Sequence, residues 1–136
     1  MIAIVCLDEQ RGMLFNKRRQ SRDRRVTERI LEITEGKKLW MEPFSVKLFE
    51  EMLPENAVAD EDFLLKAEKG EYCFVENRPL KALEGNIEKL IVFWWNRRYP
   101  TDFYLDLELN EWILAAKSEF AGYSHEKITE MIYQRA

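Results

Sequence analysis

Strand-like and helix-like apolar patterns alternate through most of this chain, while its last third reads as strands alone. That order constrains the fold more than any single motif. Alternating strands and helices call for a mainly parallel sheet with helices packed on its faces. A closing run of strands calls for an antiparallel hairpin at one edge. The expected fold class is therefore α/β with three layers.

Met1–Leu7 is a continuous apolar run, as in a strand covered on both faces. Arg11-Gly12 breaks it, and the polar stretch through Ser21 reads as a loop. Val26, Ile30, Leu31 and Ile33 then recur at helical spacing, with Asp23 or Ser21 as N-cap and Gly36 as the stop. Lys38–Met41 reads as a short strand, and Pro43 opens a helix running to Pro54. Val58-Ala59 reads as another short strand, and Asp60 caps a helix through Lys69, ended by Gly70. Glu71–Glu76 is a strand, Pro79–Asn86 a loop or edge segment, and Ile87–Trp95 the strongest strand of the chain. After a turn at 96–100, Phe103–Leu109 alternates as a strand and Trp112–Phe120 reads as another. The tail fits either a helix (Ile128, Met131, Ile132) or an edge strand (Ile128, Glu130, Ile132).

A chain of 136 residues is long enough for one domain with a real core, and residues 1–136 are read as one. No apolar run approaches the roughly 20 residues that a bilayer requires. The apolar Ile2–Leu7 lacks a preceding basic segment, so a cytoplasmic location is expected. Cys6 and Cys73 fall inside strand-like runs and read as small core residues. His125 is the only histidine, so neither a zinc cluster nor a two-metal nuclease site of the ribonuclease Z type can be assembled.

Over nearly its whole length the chain resembles the dihydrofolate reductase superfamily. The opening strand followed by Gly12-Met13-Leu14-Phe15-Asn16 resembles that family's first strand and substrate loop. Residues 33–41 with Ser45 and Phe49 resemble its Thr-x-Gly-Lys block, and Glu88–Val92, Pro100–Asp102 and Glu111-Trp112 its closing strands. The resemblance implies a dihydrofolate reductase-like layout with folate and NADPH positions that can be compared one by one. Where the substrate loop should carry Gly and Leu-Pro-Trp stand Lys17, Arg18, Arg19 and Gln20. The pterin-binding carboxylate falls at Arg25 or Val26, with Asp23 one turn early. Glu42-Pro43 replaces a Gly-Arg at the cofactor phosphates, Glu76-Asn77 stands for the Gly-Gly pair, and Phe93 for a threonine on the long strand. Acids repel phosphate, and proline has no N–H to donate.

The reading that follows is a non-catalytic member of that fold, with no cofactor, its old cleft refilled by side chains. The net charge is −4, yet Lys17, Arg18, Arg19, Arg22, Arg24, Arg25 and Arg29 crowd one stretch. A second cluster, Asn96-Arg97-Arg98-Tyr99, follows Trp94-Trp95, two residues expected on opposite sheet faces. Arg18, Arg19, Arg22, Arg25, Arg97 and Arg98 form the expected anion site, for a small anionic molecule or nucleic acid. A second copy of the chain is another admissible partner; a membrane is not. The alternatives are an NADPH-dependent oxidoreductase with a changed substrate and a nucleic-acid interaction module. His125-Glu126 reads as a surface turn, and Ser45, Ser118 and Ser124 lack any Gly-x-Ser-x-Gly context.

Overall fold

A computed structural model describes all 136 residues. In chain order, β1 (Ile2–Leu7), β2 (Gly12–Phe15) and β3 (Arg18–Arg19) lead into α1 (Arg24–Ile33). Then come β4 (Leu39–Met41), α2 (Pro43–Phe49), β5 (Ala57–Ala59), α3 (Phe63–Lys66) and β6 (Tyr72–Phe74). The long strand β7 (Lys89–Trp94), the short β8 (Phe103–Tyr104), β9 (Ile113–Phe120) and β10 (Ile128–Gln134) complete the chain.

The main sheet has the order β5-β4-β6-β1-β7-β10-β9. Its first five strands are parallel, and β10 runs antiparallel to both β7 and β9. The expected parallel sheet closed by a C-terminal antiparallel hairpin is thus present. β1 and β7 lie at its centre, which explains their unbroken apolar runs: both faces are covered. On one face α1 and α2 pack Val26, Ile30, Leu48 and Phe49 against Ile4, Phe74, Ile91 and Phe93. On the other, Phe63, Leu80, Leu107 and Trp112 cover Val5, Cys73, Leu90 and Val92. Trp94 and Trp95 fall on opposite faces, as their adjacency in a strand requires. So do Cys73 and Cys6, which remain free thiols. Burial pushes the Cys73 thiol up to about 12.

Four local expectations need correction. The stretch through Ser21 is not a plain loop but a hairpin of β2 and β3, with β8 as a third strand of a small separate sheet. Its two turn residues, Asn16 and Lys17, both have positive φ, at 52° and 61°. That geometry usually announces itself as Asn-Gly, so the signal is muted here. Phe103–Leu109 alternates because Leu105, Leu107 and Leu109 are buried, yet only Phe103–Tyr104 pairs as a strand. Alternation there reports burial rather than a ladder. The helix expected from Asp60 to Lys69 shrinks to α3, where Phe63 is fully buried and Leu65 is 75% exposed. Phe63 with the partly buried Leu64 makes too short an apolar stripe to carry a longer helix. The helix from Pro43 stops at Phe49, since Glu50 adopts φ 50° and a 3-10 turn follows. The ambiguous tail is a strand, with Glu130 buried and paired to Arg29 at 2.7 Å.

Gly12 sits where β2 meets the loop after β7, and a Cβ there would collide with both Oγ1 and Cγ2 of Thr101. Gly12→Ala is expected to lower stability by about 1–3 kcal/mol through that overpacking. Urea denaturation reads it, and an unchanged midpoint would contradict the close approach.

Candidate functional site

Parallel strands end together, so β1, β4, β6 and β7 deliver their following residues to one sheet edge, where ligands of open α/β sheets commonly sit. Within two residues of those strand ends stand Asp8, Glu42, Glu76 and Asn96, all polar and two of them close to basic partners.

Asp8 is fully buried and ties the β1–β2 connection to the loop after β7. Its carboxylate accepts from the N–H groups of Gln10, Gly12 and Tyr99 and from the Thr101 hydroxyl, all within 3.1 Å. Burial pushes its pKa up, and these hydrogen bonds more than cancel the effect, so it titrates below the ordinary aspartate range.

Asp23 is the expected N-cap of α1: Oδ1 accepts from the Arg25 N–H at 2.9 Å. It does more than cap. Oδ1 also takes the Tyr123 N–H, while Oδ2 takes the Ser124 N–H and hydroxyl and faces His125 Nδ1 at 2.9 Å. Burial opposes ionisation, but the Tyr123 N–H, His125, Ser124 N–H and Arg25 N–H hold the carboxyl well below the usual range. His125 is therefore no surface residue. It is buried, stacked on Trp95 with ring centroids 4.7 Å apart, and its partner is Asp23 rather than the exposed Glu126. Its Nε2 meets Ser21 Oγ at 3.0 Å and the Tyr99 hydroxyl at 3.1 Å. Sequence reading could not find this cluster, because Asp23 and His125 stand 102 positions apart and form no short motif.

Glu76 is buried, and both its oxygens are taken. Arg19 grips it with Nε and with Nη2, the latter at 2.7 Å, and Ser45 Oγ donates at 2.7 Å. This network lies in the cleft between α1, β1 and β6. Cys6, Val26, Ile30, Leu48 and Phe74 line what is left, a cavity of about 20 Å³ that admits one water. Phe93 is fully buried beneath, edge-on to Phe120.

Glu42 is the N-cap of α2, its Oε2 accepting the Phe44 N–H at 2.7 Å, with Pro43 at the first helical position. Its other oxygen faces Arg78 at 3.6 Å. Asn77 Oδ1 is buried without a partner.

Of the six arginines named from sequence, three are engaged by acids: Arg19 by Glu76, Arg22 by Glu50, Arg25 by Glu28 and Glu32. Arg18, Arg97 and Arg98 are exposed. The two parent segments pack side by side, with Gln20 donating to Pro100 and Thr101 and the Tyr99 hydroxyl donating to Ser21. Arg97 reaches the Ser124 carbonyl, and Ser124 in turn donates to the Arg22 carbonyl. An open groove of about 450 Å³ runs along the first segment, lined by Arg18, Arg19, Gln20, Ser21, Arg22 and Phe44. No group of three or more His, Cys, Asp or Glu side chains is placed to hold a metal ion. No helix is long and apolar enough to cross a membrane.

No protein-family model matches this sequence, and no curated protein does. Among solved structures the chain is similar to a dihydrofolate reductase from Enterococcus faecalis, determined with NADP(H) and RAB-propyl. The two share 15% identity at a TM-score of 0.71, covering 98% of this chain and 95% of the other. At that identity the match establishes the fold.

Proposed function

We propose that this chain, whose fold is that of dihydrofolate reductase, is a binding protein for small anions rather than a nicotinamide-dependent reductase. The carrying observation is the groove where Arg18 stands exposed beside Arg19, Arg22 and Phe44. An arginine without an acid partner keeps its planar fork for a carboxylate or phosphate. Arg97 adds positive charge from the neighbouring loop, where it donates to the Ser124 carbonyl and Ser124 in turn donates to the Arg22 carbonyl.

A dinucleotide fits this edge poorly. The first N–H groups of α2 are capped by the chain's own Glu42 carboxylate, and Pro43 contributes no donor. Glu76 is a buried acid already satisfied by Arg19 and Ser45, and the cleft beneath holds about 20 Å³.

Calorimetric titration with inorganic pyrophosphate and, separately, with NADPH tests the reading. Pyrophosphate is expected to bind saturably, and Arg18→Glu with Arg22→Glu to weaken it at least tenfold, since a charge-assisted contact contributes about 1.5–3 kcal/mol. Binding of NADPH with an affinity unchanged by that double substitution would favour the oxidoreductase reading instead.

A further inference from the structure

Ser21 lines both the arginine groove and the small cavity behind it. Its hydroxyl lies 3.0 Å from His125 Nε2, whose ring presents Nδ1 to Asp23 at 2.9 Å. A carboxylate can only accept, so Asp23 fixes the proton on Nδ1 and leaves Nε2 as the acceptor facing Ser21. Stacking on Trp95 holds the ring plane. This is the relation of nucleophile, base and orienting acid that activates a serine, recognised by geometry and not by order in the chain. The Tyr99 hydroxyl, 3.2 Å from Ser21 Oγ, is a neighbouring donor.

We propose that Ser21, His125 and Asp23 form an acyl-transfer site opening onto the arginine groove, with small carboxylic esters as its substrates. Ser21 Oγ bonds to the ester carbonyl carbon while its proton passes to His125 Nε2. The carbon–oxygen bond to the leaving group then breaks, and that proton leaves with the alcohol. Water adds to the acyl-serine with its proton taken by His125, and the acid departs as the proton returns to Ser21. Both half-reactions balance without any further reactant. That the preferred acyl group carries a negative charge rests on the anion-groove reading above.

The test uses the full chain with 4-nitrophenyl acetate and mono(4-nitrophenyl) succinate, following nitrophenolate release and locating the acyl group by peptide mass. Acylation is expected on Ser21, with the rate lost in Ser21→Ala and reduced about 100-fold or more in His125→Gln. Ser21→Cys is expected to keep acylation, which a merely structural hydroxyl would not require. Acyl groups found only on other residues, or release unchanged in Ser21→Ala, overturn the site, and Ser21→Ala serves even if His125→Gln fails to fold. Acylation of Ser21 at equal rates by both esters would leave the triad standing and defeat the anion preference alone.

Discussion

Asp23→Ala is expected to lower the unfolding free energy by about 3–5 kcal/mol, a large share of what holds a domain of this size. One side chain caps α1 and receives the Tyr123 and Ser124 N–H groups, the Ser124 hydroxyl and His125. Removing it strands the buried His125 N–H, which costs about 1–3 kcal/mol when unmet, together with part-buried donors from two distant parts of the chain. Asp23→Asn recovers little, because Oδ2 faces the Ser124 N–H, and an amide nitrogen there would oppose donor to donor. The pH dependence has a definite sign. A carboxyl whose folded pKa is depressed stabilises fully above its unfolded value, near 4, and loses that contribution as pH falls toward the folded value. Urea midpoints measured below pH 4 should therefore fall for the parent protein and fall less steeply in Asp23→Asn. A loss under about 1 kcal/mol in Asp23→Ala at neutral pH would refute this account of the latch.

Arg19→Met is expected to cost about 2–4 kcal/mol, and adding Glu76→Gln to restore most of it. The single change leaves a buried carboxylate with only Ser45 as donor, whereas the double change removes the charge as well. The four chains of this cycle, compared by denaturation, should give a coupling energy above about 1 kcal/mol. Additive losses would mean that the pair is solvated and the cleft is not filled as described.

The fold was legible in the sequence because its strongest signals were regular. β1 and β7 carry unbroken apolar runs, α1 a clean apolar stripe with Asp23 as its cap, and the strands after Trp95 lack helical spacing. Where reading failed, a tertiary contact had replaced a local rule. Asn16-Lys17 turns without glycine, helped by the Asp102 carboxylate that accepts the Asn16 N–H. Leu105 and Leu107 alternate under a layer and not beside a strand. The site was less legible. Arginine density singled out the stretch from Lys17 to Arg29, but not that Arg19, Arg22 and Arg25 are engaged by Glu76, Glu50 and Glu32. A solitary histidine carried no hint of Asp23, because their meeting depends on the closing hairpin folding back over the start of α1.

That hairpin also sets an order of events during synthesis. β9 touches no strand of the sheet except β10, which is made after it and inserts between β9 and β7. The flank of β7 that pairs with β10 waits for Thr129–Gln134, and the cap of α1 waits for Tyr123–His125 to reach Asp23. A ribosome-bound chain stalled before Ile128 would hold a five-stranded parallel core with its β7 edge open and two thiols on opposite faces. Closure of the sheet therefore waits on β10.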